Sequence, residues 1–363
     1  MNWIIIMFII IFLLNNKNRF LSSMVLLGSI VIISCDHFFI LYLGLELQTF
    51  SLFILISKRK NLKGAEGGLK YFILGALSSG IFLLGISIIF INGYSLEIKN
   101  LIFYKKKILN LAFIIIVFSL FFKISLFPLH FWIPDIYEGS SWKTLGLIGT
   151  LPKISIIFFL IKFKLDISII CALFSIIIGT LGALNQTKIK RLLAYSGISH
   201  IGFIILVLNI LNQKNILIVN IYLFIYIISF IFIILISISF NPKYLIELSN
   251  NQYSNKIIGF SWIIILLSMG GIPPLSGFIS KWLVLWVIIE ENYIFSSIIC
   301  IIFSVISVGY YLRLIKIIYF QKNSSFFLFK TILIQNNLFY YSLGIIIYFN
   351  LILILNPSLF LLI

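Results

Sequence analysis

The stretch Phe122-Lys123-Ile124-Ser125-Leu126-Phe127-Pro128-Leu129-His130-Phe131-Trp132-Ile133-Pro134-Asp135 decides the fold. It lies in an apolar run bounded by Lys107 and Lys143. As one continuous helix that run would measure about 54 Å at roughly 1.5 Å per residue, against a membrane core of about 30 Å. A proline removes a backbone donor and pushes the residue before it off helical geometry, so Pro128 and Pro134 are expected to break the helix. Lys123 stands just before that break. A second run, from Lys256 to Glu290, would measure about 51 Å and contains Gly270-Gly271-Ile272-Pro273-Pro274, with Lys281 shortly after it. Two overlong, proline-broken helices, each with a lysine near the break, indicate an all-α polytopic membrane protein.

Composition agrees. Of 363 residues, 61% are hydrophobic and 10% charged, against roughly 45–50% apolar and about 25% charged in soluble domains. Too little polar surface remains to cover a globule in water, which excludes a soluble enzyme, a disordered chain and a secreted disulfide scaffold. At about 20 residues per span the length allows about twelve transmembrane helices, eleven or twelve. The formal charge of +17 does not imply a nucleic-acid partner, because basic residues collect in loops kept on the inner side of a membrane. Cys35, Cys171 and Cys300 are isolated, and neither a Cys-x-x-Cys pair nor a Gly-rich dinucleotide fingerprint occurs. No metal site and no cofactor site is expected on this chain. Met1 to Leu14 lacks a basic start and a small-residue cleavage site, so it is expected to be a retained span.

Apolar stretches between charged or Asn/Gly-rich breaks place helices at 3–14, 20–35, 38–57, 67–91, 108–139, 144–163, 167–185, 191–210, 215–239, 256–291, 294–320 and 338–361, with a connection at 322–337. Loop lysines and arginines assigned to alternate sides are about twice as many on one side, which makes that side the inner one and leaves the N-terminus outside. The order of elements suggests four segments: an N-terminal span at 1–19, a first five-helix repeat at 20–163, a second at 164–321, and a connecting loop with a C-terminal helix at 322–363. In each repeat the fourth helix is the broken one. An odd number of helices per copy inverts the second copy, the inverted repeat of secondary transporters.

Six of the 27 basic residues fall within spans. Lys70 lies close to the loop residue Glu66, and Arg313 and Lys316 lie near a helix end, where snorkelling accounts for them. Lys123, Lys153 and Lys281 do not fit that explanation. Counting from the nearest loop charges places Lys153, Lys281 and Glu46 near the bilayer midplane, where a charge costs about 2.5–3.5 kcal/mol even on insertion scales. A structural ion pair such as Glu46 with Lys123 would leave an excess of lysines. A buried lysine with a switchable acidic partner can instead load and release a proton, and broken helices line cavities that admit water. A relay through Glu46, Lys123, Lys153 and Lys281 is the expected chemistry. His130 and His200 are possible secondary members, or hydrogen-bond partners between helices.

These residues also carry a family resemblance. The segments Leu43-Gly44-Leu45-Glu46, Lys70-Tyr71-Phe72-Ile73-Leu74-Gly75-Ala76, Phe122 through Gly139, Asn185 through Ser196, and Gly271 through Lys281 resemble the NADH-ubiquinone oxidoreductase chain 2 family, the antiporter-like membrane subunits of respiratory complex I. The resemblance runs from about residue 20 to 320. It implies a non-redox, proton-translocating subunit in which Lys123 and Glu46 form the inner-half pair, Lys153 relays between halves and Lys281 serves the exit half. It further implies that NADH, FMN, iron–sulfur clusters and ubiquinone are handled by other subunits, with neighbouring antiporter-like subunits and membrane lipids as partners. The fuller pattern of that family has fourteen helices, and its Gly-Ala-Pro reads Gly139-Ser140-Ser141 here. The shortened start, with a composition rich in Phe, Ile, Asn, Lys and Tyr, resembles the mitochondrial form, which implies the mitochondrial inner membrane with the N-terminus in the intermembrane space. The alternatives are a self-standing cation/proton antiporter and a structural membrane subunit whose charges only fix packing.

Overall fold

Inside lipid no water satisfies a backbone amide, so apolar segments bond internally as helices. The computed structural model describes residues 19–59, 61–98, 107–161, 168–210, 213–249 and 256–321, with positions 344 and 348. The expected span 3–14, the connection 322–337 and most of the span 338–361 lie outside the described residues. The helices are α1 (Arg19–Ser34), α2 (Phe38–Ser57), α3 (Leu62–Ile91), α4 (Lys107–Ile124), α5 (Trp132–Gly139), α6 (Trp142–Leu160), α7 (Ser168–Leu184), α8 (Ile189–Asn209), α9 (Gln213–Phe240), α10 (Lys256–Gly270), α11 (Ser276–Glu290) and α12 (Ile294–Phe320). A short 3-10 turn covers Leu245–Leu248. Extended pairing among the described residues is confined to isolated bridges, His37 with Glu97 and Lys188 with Tyr244.

Six of these helices, α2, α3, α6, α8, α9 and α12, are long and apolar enough to cross a membrane. Shorter apolar helices are α1, α4, α7 and α10. Both overlong runs are interrupted as the length arithmetic requires: α4 gives way to α5 and α10 to α11. Helix α3 begins at Leu62, a turn ahead of the expected start at 67, because Gly64 and Gly67 pack closely on α5 and that contact outweighs the poor helix propensity of glycine. Serine starts α6: the Ser141 hydroxyl accepts from Thr144 N at 3.3 Å, an N-cap.

The chain divides into two compact units, Met1–Ala172 and Leu173–Ile363, the divide falling within α7. In the first unit α6 packs on α1, α2 and α4, while α3 packs on α2, α4 and α5. Phe38 gathers Phe82, Phe113 and Phe159 around it at centroid distances of 6.3–6.5 Å, tying four helices together by van der Waals contact where lipid supplies no hydrophobic drive. In the second unit α9 packs on α8, α10 and α11, and α12 packs on α10, α11 and the 3-10 turn. The apolar windows of α6 and α8 are each 89% buried, against 33% for α3 and 28% for α12. The two most enclosed helices therefore carry Lys153 and His200, and the outer ones face outward from their units.

Candidate proton-relay site

Both broken helices end in the same backbone device. Ser125 has φ +63°, its N–H bonds Phe122 O at 3.0 Å, and Leu126 N bonds Phe121 O at 2.9 Å. At the second break Gly271 has φ +79°, its N–H bonds Ser268 O at 3.0 Å, and Ile272 N bonds Leu267 O at 3.2 Å. These are the paired bonds of a Schellman motif, which closes a helix through one left-handed residue. Pro128 and the Pro273–Pro274 pair follow in the two gaps, where the Phe127–Pro128 and Pro273–Pro274 peptide bonds are cis. Pro134, expected to break the helix, lies instead in the first turn of α5, where an amide would lack a helical partner anyway.

A helix that stops inside the membrane leaves carbonyls to be met by something else. At the second break the donor is Lys281, buried on α11, whose Nζ lies 2.6 Å from Gly270 O and 3.1 Å from Ser307 Oγ. The ammonium position also lies 6.0 Å from the centroid of Phe203. A cation at a helix C-terminus meets the negative end of the helix dipole. Gly271 is required twice here: its φ is left-handed, and a Cβ would meet Lys281 Cδ at 2.7 Å.

At the first break the far half also reaches back, but with an indole: Trp132 Nε1 donates to Phe122 O at 3.1 Å. Sequence reasoning did not single out Trp132. Lys123 occupies the last turn of α4 and is buried, and its Nζ makes no hydrogen bond among the described residues. Glu46 lies within electrostatic reach of Lys123 and of Tyr71 without bonding the amine. Its carboxylate is half-buried on α2, accepts from Thr49 Oγ1 at 3.2 Å, and opens onto a cavity of about 250 Å³ lined also by Tyr42, Phe72 and Ser79. Among the described residues no ion pair or hydrogen bond joins the expected pair.

Lys153 is 2% exposed on α6 and directly follows Pro152, a proline inside the helix. Pro152 cannot donate to the Ile148 carbonyl, so the backbone is opened beside this lysine too, a signal the adjacent pair Pro152-Lys153 carried and the sequence reading passed over. One turn on, Ser155 Oγ donates to Pro152 O at 3.1 Å and accepts from Gln48 Nε2 at 3.3 Å. His200, buried on α8, has Nδ1 2.9 Å from Tyr222 Oη and Nε2 3.4 Å from Tyr311 Oη. A small cavity lies against His200, Tyr222, Ser229, Ser268 and Ser280. His130 sits in the first gap, buried, with its ring 4.2 Å from that of Phe131 and Nδ1 without a hydrogen bond among the described residues.

Two residues assigned to snorkelling also have fixed partners. Lys70 Nζ lies 2.7 Å from Glu66 and 2.8 Å from Asp135, and Arg313 Nη1 donates to Leu184 O at 3.0 Å, closing the end of α7.

The chain is similar to a known family. The family described as NADH:quinone oxidoreductase/Mrp antiporter, TM, matches residues 35–307. NADH-ubiquinone oxidoreductase chain 2 of Metridium senile is 37% identical over 322 residues, covering 84% of each chain. NADH-quinone oxidoreductase subunit N of Pelagibacter ubique is 34% identical, covering 93% of this chain and 76% of its own length. Among solved structures, a chain of respiratory complex I from Thermus thermophilus superimposes with a TM-score of 0.86 at 26% identity, covering 94% of this chain and 78% of that one. With breaks, lysines and match all falling within one continuous stretch, the chain belongs to the NADH:quinone oxidoreductase/Mrp antiporter membrane family, alongside NADH-ubiquinone oxidoreductase chain 2.

Proposed function

We propose that this chain translocates protons as a non-redox, antiporter-like subunit of the membrane arm of respiratory complex I, NADH:ubiquinone oxidoreductase. The observation that carries the reading is the pairing of a buried lysine with a Schellman-terminated helix break in each unit, Lys123 in the first and Lys281 in the second. Isolated charges at membrane depth are expensive and are retained where something uses them. Glu46 and Lys123 form the first station, Lys153 the next, and Lys281 the station of the second unit, with His130 and His200 as secondary members. Each lysine sits where a backbone carbonyl is freed or an amide is missing, so water and polar groups can reach it.

Residues 20–163 and 164–321 are read as an inverted repeat of five-helix bundles within a chain of about twelve spans. In this reading NADH oxidation and quinone reduction take place on other subunits, which hold the flavin, the iron–sulfur clusters and the quinone. Neighbouring antiporter-like subunits and membrane lipids surround the chain, and its seat is the mitochondrial inner membrane with the N-terminus toward the intermembrane space. Support for the assembly comes from relatives named as complex I subunits and from the fold shared with the Thermus thermophilus chain.

The test is replacement of Lys123 or Lys281 by Met in the assembled complex, with proton pumping and NADH oxidation measured together. Loss of pumping per NADH oxidised supports the reading; unchanged pumping sinks it. A self-standing cation/proton antiporter would migrate alone rather than in a large assembly with flavin and iron–sulfur subunits.

A further inference from the structure

Lys70 and Tyr71, adjacent on α3, have no role in the proton stations, yet both side chains meet α5. Lys70 Nζ is held 2.8 Å from Asp135 Oδ2 and 2.7 Å from Glu66 Oε1. Two turns toward the loop, Lys63 Nζ lies 2.5 Å from Glu138 Oε1. Arg59 Nη1 donates to the carbonyls at the end of α5, Gly139 O at 3.2 Å and Ser140 O at 2.8 Å. The helices can lie this close because Gly139 of α5 has no side chain: a Cβ there would collide with Lys63 O on α3. Tyr71 places its ring 5.6 Å from Trp132.

Helix α5 has eight residues, too few to be stable alone, and its continuity with α4 is broken by the gap. Its position is therefore imposed from α3. At its far end Trp132 stacks on Phe122 at 5.3 Å and 25° and donates to Phe122 O. Phe122 is the residue before Lys123. A chain of direct contacts thus runs from Lys70 through Asp135, along α5, through Trp132, to the turn that carries Lys123.

We propose that Lys70 is a positioning residue for proton transfer at Lys123: by holding Asp135 it fixes α5 against α3 and so keeps Trp132 and the end of α4 in place. The inference rests on the proton-translocating reading and adds to it a residue that touches no station. Lys70 is shared between Glu66 and Asp135, so the pair on α5 can loosen while the lysine keeps a carboxylate. The charge of Lys70 is then used to set geometry, not to carry protons.

The experiment uses the intact complex with Lys70→Met, Lys70→Arg, Asp135→Asn and Lys123→Met, each checked for assembly. Hydrogen exchange of the peptide 128–141 and protons pumped per NADH oxidised are read on the same preparations. Breaking the pair is expected to speed exchange of that peptide about fivefold, the scale of one modest ion pair, and to lower pumping without removing the complex. Lys70→Arg is expected to restore both. Normal exchange or normal pumping in Lys70→Met, or an Lys70→Arg variant as impaired as Lys70→Met, overturns the proposal. If Lys70→Met does not assemble, the near-isosteric Asp135→Asn decides by the same two readouts. Normal pumping in Lys123→Met would instead overturn the proton-station reading, whereas an impaired Lys123→Met beside a normal Lys70→Met removes the positioning role alone.

Discussion

Lys281 Nζ donates to Gly270 O across the second helix break, at 2.6 Å, from the opposite half of the same span. The amine takes the place of the amide that the next helical turn would have supplied. At the first break that place belongs to Trp132, which donates to Phe122 O, and Lys123 keeps an amine without a hydrogen bond among the described residues. Each lysine lies close to a break, but the two differ in what they hold. One closes a helix, and the other is held beside one.

Removal of the second amine therefore has two consequences that can be separated. Lys281→Met takes the donor from Gly270 O and is expected to destabilise the second unit by about 1–3 kcal/mol, the cost of a buried acceptor left unmet. It is also expected to abolish pumping. Ser307→Ala removes only the second partner at 3.1 Å and is expected to cost about 1 kcal/mol with pumping reduced but present. Thermal unfolding of the purified complex and proton uptake by reconstituted vesicles distinguish the two. Equal effects of the two substitutions would refute the assignment of the proton to Lys281.

Backbone hand gives a second prediction, with opposite signs at the two breaks. Gly271→Ala forces a Cβ onto a left-handed residue, about 1–2 kcal/mol, and drives that Cβ against Lys281 Cδ at 2.7 Å, so both stability and pumping are expected to fall. Ser125→Gly relieves a left-handed serine and is expected to leave stability unchanged or raise it by up to about 1 kcal/mol. The pair is checked by melting temperature. A loss of stability in Ser125→Gly would show that the serine hydroxyl, which donates to Ile124 O, outweighs the backbone term.

The breaks were legible because they follow from length. A run too long for the bilayer must be interrupted, and proline with glycine says where. The same counting put Lys153 and Lys281 well inside their spans, and both side chains are buried. What was not legible required a partner distant in sequence. Lys70 reads as a snorkelling residue until Asp135, on a half-helix whose position no periodicity fixes, is brought to 2.8 Å. Arg313 reads the same way until Leu184 O is placed beside it. Pro134 could not be told from a helix breaker, since proline is equally at home in a first turn. Trp132 reads as one more aromatic in an aromatic-rich chain, because its value is one N–H aimed at one carbonyl.

Histidine supplies a test of relay against packing. His200 bridges Tyr222 and Tyr311, a geometry that serves proton passage and helix docking alike. Gln keeps a donor and an acceptor but does not take up and release a proton at neutral pH, whereas imidazole does. If His200 is a relay member, His200→Gln is expected to lower pumping while melting temperature stays close to the parent value. Tyr222→Phe, which removes the 2.9 Å bond, is expected to cost about 1 kcal/mol. Full pumping in His200→Gln would make the residue a packing partner.

Trp132→Phe isolates a single hydrogen bond at the first break. The substitution keeps an aromatic ring against Phe122 and Tyr71, whose centroids lie 5.3 Å and 5.6 Å away, but deletes the donor to Phe122 O. That carbonyl retains its bond from Ser125 N, so the cost is expected to be moderate, about 1–2 kcal/mol including the smaller ring. Lys123, the residue after Phe122, loses the restraint on its turn without losing its charge, its burial or Glu46. Pumping is expected to fall while NADH oxidation with an uncoupler stays near the parent rate. Proton-to-electron stoichiometry in vesicles is the measurement. An unaltered stoichiometry together with a lowered melting temperature would make Trp132 a purely structural clasp between α4 and α5, because a restraint that matters to proton transfer must show in the ratio and not only in the melt.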